Sequence, residues 1–197
     1  FLEFLFPKCY GMVLVGGYTY TYGWGFYICR HDGLGNIVWS HGYGRGSSLL
    51  LRDMMQTDDG GYIMFGDSYN TDSDVVQHYG SPFNADLFVI RLDSLGNKVW
   101  AKVIGGSGEE AAAKVVNAPG GGCYITGFTN SDDHDCTGNH GDSSGNSEVY
   151  VARLDADGNM MWHRDFGGTG ADGAKTACAD GRGGVIVGAS SNSNDGD

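Results

Sequence analysis

The 197-residue chain carries 35 glycines but only 3 prolines, with 41% hydrophobic and 18% charged residues. Its formal charge of -12, from 24 acidic against 12 basic side chains, argues against nucleic acid as a partner, because phosphate binding needs clustered Lys and Arg. The apolar content excludes a disordered chain, and no apolar run is long enough to span a bilayer as a helix.

Taken in chain order, the sequence repeats two phrases. A β-rich phrase closed by glycine appears as Val13-Leu14-Val15-Gly16, Ile63-Met64-Phe65-Gly66, Tyr124-Ile125-Thr126-Gly127 and Ile186-Val187-Gly188. Between these stands Gly-Asn-x-x-Trp, ending at Trp39, Trp100 and Trp162 with spacings of 61 and 62 residues. Self-similarity at this period marks a repeat architecture. Three units are expected over 1–47, 48–109 and 110–171, with an incomplete fourth over 172–197.

The first unit has a short middle loop bearing Tyr18, Tyr20, Tyr22 and Trp24. Exposed aromatics of this kind can stack on sugars or seat a protein, so these four are candidate ligand-binding residues. The same alternation also suits an edge strand packed on a neighbour.

The second and third units each divide into four strand-like segments, in the third unit 111–118, 122–128, 148–155 and 159–166. Val149-Tyr150-Val151-Ala152-Arg153-Leu154 alternates as a half-buried strand does. Asp93-Ser94-Leu95-Gly96-Asn97 and Asp155-Ala156-Asp157-Gly158-Asn159 read as tight hairpins with glycine available for positive φ. The stretch 109–116 resembles a short helix in isolation. Its counterparts 48–55 and 173–179 do not, so all three are predicted to be strands.

Four antiparallel strands repeated head to tail predict an all-β fold, a β-propeller built of four-stranded antiparallel blades. Small residues of the first strand (Ala111, Ala112, Ala113) suit the crowded centre, and each Trp is expected to anchor one blade on the next. A β-solenoid is the alternative architecture. Propellers close with about four to eight blades, so further blades are expected from sequence outside the chain or from a second chain; the chain is expected to be a fragment.

Length variation sits between the second and third strands. Gly-to-Trp separations there are 23, 34 and 35 residues, while Trp-to-Gly separations are 27, 27 and 26. In these loops Asp72-Ser73-Asp74-Val75 matches Asp133-His134-Asp135-Cys136, and Asp195-Gly196-Asp197 begins the same phrase. Alternating carboxylates in a glycine-rich loop can converge on a hard cation, which makes Asp72, Asp74, Asp133 and Asp135 candidate Ca²⁺ ligands. Asp in such loops also closes Asx turns on its own backbone, which makes the same residues loop organisers.

The five cysteines show no paired spacing and read as small apolar strand residues, apart from Cys136 in its polar loop. His140 aligns with Tyr79 and His134 with Ser73, so no histidine ligand pair repeats. No catalytic constellation is visible: there is no nucleophile elbow, and the near-axial acids Asp53 and Glu3 align with each other.

The phrases Asp59-Gly60-Gly61-Tyr62-Ile63, Leu92-Asp93-x-x-Gly96-Asn97-x-x-Trp100, Gly105-Gly106-Ser107-Gly108-Glu109 and Asp133-x-Asp135-x-x-Gly138-Asn139-His140-Gly141 resemble the long-period propeller repeats of bacterial secreted and surface lipoproteins, common in Bacteroidetes. The likeness covers 48–197 well and 1–47 poorly. The third strand and its hairpin also resemble the repeat of pyrroloquinoline-quinone dehydrogenase propellers, a shared turn that implies no quinone. The resemblance implies export to an extracellular or cell-surface setting, with adhesion or binding of a protein or glycan as its expected role. The alternatives are a carbohydrate-active enzyme with a central-channel site and a purely structural spacer.

Overall fold

The computed structural model describes residues 2–4, 14–18, 25–44, 46, 48–140 and 146–196, the first two segments in backbone only. The described residues form strands and no helix. β1 (Leu2–Phe4), β2 (Leu14–Tyr18), β3 (Phe26–His31) and β4 (Ile37–Tyr43) make one antiparallel sheet in sequential order. β5 (Leu50–Gln56), β6 (Tyr62–Ser68), β7 (Asp86–Leu92) and β8 (Lys98–Ile104) make a second. β9 (Glu110–Asn117), β10 (Cys123–Thr129), β11 (Glu148–Leu154) and β12 (Met160–Phe166) make a third, and β13 (Asp172–Ala179) pairs with β14 (Val185–Ser191). The helix-like stretch at 109–116 is therefore strand, as its counterparts required.

The turns follow from their acids. In Asp32–Asn36, Asp93–Asn97 and Asp155–Asn159 one carboxylate oxygen accepts the N–H groups two and four residues on, and the other accepts the Asn side chain. The glycine before each Asn holds a φ of 79–84°, a region glycine enters without strain. This closes the β3–β4, β7–β8 and β11–β12 hairpins.

The glycine that ends each β-rich phrase has a separate cause. The first strands β5 and β9 bulge opposite it, with the register slipping between Leu51 and Asp53 and again beside Thr126 and Gly127. The bulge brings backbone so close that a Cβ on Gly66 would lie 2.0 Å from the Leu50 carbonyl oxygen, and one on Gly127 would lie 2.1 Å from that of Ala111. Only glycine fits there.

Packing is between sheets. Every residue of β6 and β7 is buried, because both faces of the second sheet are covered. Met64, Phe88, Ile90 and Leu92 face the first sheet with Phe26 and Ile28. The alternate residues Ile63, Phe65, Leu87 and Val89 face the third with Ile125, Tyr150 and Leu154. Period-two alternation thus sorts one strand between two cores.

Trp39, Trp100 and Trp162 pack against the three successive cores. Each of the first two covers the hairpin glycine of the following sheet: a Cβ on Gly96 would fall 3.0 Å from Trp39, and one on Gly158 would fall 2.8 Å from Trp100. Trp100 also donates its indole N–H to the Ala156 carbonyl at 2.9 Å.

The first strands of successive sheets, β5, β9 and β13, lie side by side. Asp53 on β5 accepts from Lys114 Nζ and from the Val115 amide, both at 2.9 Å, and Asp67 on β6 accepts from the Ala112 amide at 2.8 Å. Outward-facing N–H groups of β9 would otherwise need water. Carboxylates of the preceding sheet satisfy them instead.

Candidate functional site

Antiparallel order places the β6–β7 and β10–β11 loops at the same end of the sheets as the connections between sheets. The acidic loop residues meet there. Asp133 accepts from the Ser107 amide at 2.7 Å, and Asp195 repeats the contact with the Thr169 amide at 2.9 Å and its hydroxyl at 3.0 Å. Asp72 accepts from the amides of Asp74 (2.7 Å) and Val75 (2.8 Å), an Asx-type closure. Asp74 accepts from the Gly44 amide at 3.0 Å and pairs with Lys98.

Asp135 contributes backbone: its N–H reaches the Gly105 carbonyl at 3.1 Å, and its carbonyl accepts from the Tyr150 hydroxyl at 2.9 Å. The four candidate ligands thus form two separate pairs, one at each sheet boundary. Among the described residues no three His, Cys, Asp or Glu side chains are arranged to hold a metal ion. Tyr20, Tyr22 and Trp24 lie outside the described residues, as does the side chain of Tyr18.

A second layer of acids lies beneath, and sequence reading missed it. Asp86 at the start of β7 and Glu110 at the start of β9 both border Gly105, since a Cβ there would meet Asp86 Oδ1 at 2.2 Å and Glu110 Oε2 at 2.7 Å. Glu110 accepts from Thr129 (2.7 Å), Ser131 (2.6 Å) and the Gly106 amide (2.9 Å). Burial pushes both carboxyls of this pair upward. Glu148 and Asp172 occupy the same two places one sheet later, where Asp172 accepts from Ser193 at 2.6 Å and Gly168 at 3.1 Å.

Each outer acid also meets a histidine. His78 Nδ1 lies 2.7 Å from Asp86, and His140 Nδ1 lies 3.1 Å from Glu148. The alignment of His140 with Tyr79 holds for the backbone only: the Tyr79 and His140 amides both donate to these acids. The imidazole comes from the residue before Tyr79. A His eight residues ahead of an acid, at 78/86 and 140/148, is the signal that could have revealed the pair.

Cys136 is also not a polar-loop residue in effect. It is wholly buried, as is Val75 at the matching place in the second unit, so both plug an intersheet core from above. Cys178, expected as strand filler, is exposed on β13.

One group of side chains departs from the repeat. Phe88, Ala101 and Val103 of the second sheet become Tyr150, His163 and Asp165 in the third, paired in the same register. Tyr150 stacks on His163 with ring centroids 5.8 Å apart. Asp165 is 7% exposed, and neither carboxylate oxygen has a hydrogen-bond partner; His163 Nδ1 is buried and unpartnered as well. Burial, followed by the nearby Glu148, pushes the Asp165 carboxyl up to about 7.

Over this frame the loop surface presents apolar groups. Val76 is 82% exposed and Phe83 87% exposed on the β6–β7 loop. Tyr79 of that loop stacks against His134 of the next, with centroids 4.7 Å apart. On the first strand of the second sheet, Asp53 is buried and spent on Lys114 and Val115.

No protein-family model and no curated protein matches the chain. Among solved structures the chain is similar to the crystal structure of an ACO/RPE65 chimera, with 11% identity and a TM-score of 0.42 over 78% of this chain. The matched region spans about a third of that chain, 35%.

Proposed function

We propose that the chain is a non-enzymatic binding or adhesion module, built as wedges of a β-propeller, that presents its acidic loop face to a protein or glycan outside the cell or at its surface. The wedge arrangement is supported by sheets in sequential strand order, where Asp53 of β5 and Asp67 of β6 both reach the first strand of the next sheet, β9. In this arrangement the cleft of about 480 Å³ between the third sheet and β14 is the seat of a third strand. Tyr124, Val149, Val151 and Trp162 form one wall of the cleft and Val185 and Val187 the other.

The observation that carries the binding role is a pinned loop holding apolar groups in solvent. Asp72 closes the β6–β7 loop on itself and Asp74 and Asp86 tie it to the frame, yet Val76 and Phe83 remain outside any core. A rigid loop with exposed aromatic and aliphatic groups binds without a large ordering cost. The repeated acids, by contrast, are largely consumed by amides and hydroxyls of the frame, Asp72 Oδ2 and Asp86 Oδ1 excepted, and the resemblance to surface lipoprotein repeats supports the extracellular setting.

A glycan array, with adsorption to intact cells as the arm for protein partners, tests this reading. Binding by the wild type that is lost in Phe83→Ser with an unchanged melting temperature supports it. Binding that survives in a Val76→Ser/Phe83→Ser variant rejects it.

A second reading, Ca²⁺ on the same loops, is favoured by one atom: Asp72 Oδ2 is buried and unpartnered. Calorimetry with calcium and with chelator decides it, and an absence of heat and of any melting shift rejects a metal role.

A further inference from the structure

We propose that Asp165 is a protonatable latch: it is seated as a neutral carboxyl beneath the 132–140 loop, and its ionisation loosens that loop from the third sheet. The geometry requires an unusual state for this group. Asp165 stands where the second sheet has Val103, on the face that also bears Tyr150 and His163. Both of its oxygens are buried without a donor. A buried carboxylate left in this state is strongly disfavoured, and the neutral acid is the form such a site tolerates.

The surroundings act in the same direction. The 132–140 loop brings Asp132, Asp135, Cys136 and His140; β11 brings Glu148 and Tyr150; β12 brings His163 and Arg164; β9 brings Glu110. Glu148, Asp132 and Glu110 oppose a negative charge on Asp165, and His140 favours one, but its ring faces Glu148 at 3.1 Å. Arg164 directs Nη1 at the His163 carbonyl, 2.8 Å away. The loop above is held by Asp132 accepting from Gly138 at 2.9 Å, Tyr150 donating to the Asp135 carbonyl and Thr137 lying 3.4 Å from His163, besides the Ser107–Asp133, Asp135–Gly105 and His140–Glu148 contacts. Three of these contacts, those of Tyr150, His163 and Glu148, are made by neighbours of Asp165 in the third sheet, so charge at Asp165 acts on that side of the loop.

The sign follows from linkage. The closed-state value is raised above the ordinary 3.8 to about 7, so the contribution of the closed loop is complete below about pH 4 and is lost as pH rises through about 7. A raised value means that the closed state binds the proton more tightly than the open state. Deprotonation therefore favours opening.

The test is residue-resolved hydrogen exchange of the 132–140 amides together with labelling of the Cys136 thiol, each as a ratio of wild type to Asp165→Asn at the same pH. This ratio cancels the intrinsic pH dependence of both reactions. Near unity at about pH 4, it should rise about tenfold or more by about pH 8. Asp165→Val, which restores the side chain of the second sheet, should match Asp165→Asn, which guards against a variant-specific artefact. A ratio that stays flat from about pH 5 to 8 overturns the latch. So does calcium that slows opening in the wild type but not in Asp165→Asn, because a cation would then be the natural occupant.

Discussion

The second and third sheets have the same strands, the same bulges and the same hairpins, yet they treat one interior face in opposite ways. Phe88, Ala101 and Val103 close the second sheet against the first with apolar groups, while Tyr150, His163 and Asp165 fill the matching face of the third. What is common to both sheets, including the acid pairs Asp86/Glu110 and Glu148/Asp172, has a structural partner. What differs includes Asp165, whose two oxygens are both orphaned, whereas Asp86 of the frame leaves one oxygen unpartnered and uses the other. In a repeat protein this contrast separates frame from function better than residue type does, since the frame acids are as numerous as any candidate ligands.

The sharpest way to break the comparison is to transplant the difference. Val103→Asp places an unpaired carboxylate against the Phe26–Phe88 core, and it should lower stability by about 3 kcal/mol or more in denaturant unfolding. A cost below about 1 kcal/mol would show that this face tolerates charge in either sheet, and the special standing of Asp165 would vanish.

Trp100→Ala removes the ring that covers Gly158 and the bond to Ala156. About 3 kcal/mol should be lost, and Trp39→Ala should behave alike, because both rings seat a following hairpin. Unequal effects would mean that the two sheet boundaries are not equivalent.

Smaller still is Asp133→Ala, which frees the Ser107 amide for about 1 kcal/mol, with the same loss in calcium and in chelator. A loss seen only in calcium would convert Asp133 from organiser to ligand.

Much of the frame was legible because it depends on residues that must recur. The Asp-x-x-Gly-Asn turns need their acid and their glycine, the bulges need Gly66 and Gly127, and Trp needs a glycine beneath it, so each left a periodic trace. The stretch 109–116 was legible only through its counterparts, since its alanines form a strand for reasons outside themselves, namely the pairing with β10 and the carboxylates of Asp53 and Asp67.

Other features were hidden for physical reasons. The acid pairs exchange Asp for Glu between units, as side-chain length trades across one gap. The histidines reach their acids from positions one residue out of step, because the loops differ in length. Asp165 left no periodic trace at all, and only comparison of Trp162-His163-Arg164-Asp165 with Trp100-Ala101-Lys102-Val103 exposes it. Cys136 looked polar by its neighbours and is apolar by its place above the core.

Amide hydrogen exchange of Ala112 and Val115 tests most directly whether neighbouring sheets lean on one another. These N–H groups point away from the third sheet's own ladder and are covered only by Asp67 and Asp53 of the second. The account predicts that both exchange at least about a thousandfold slower than free amides, and that Asp53→Ala releases Val115 alone. Exchange at the rate of an exposed sheet edge in the wild-type protein would contradict it.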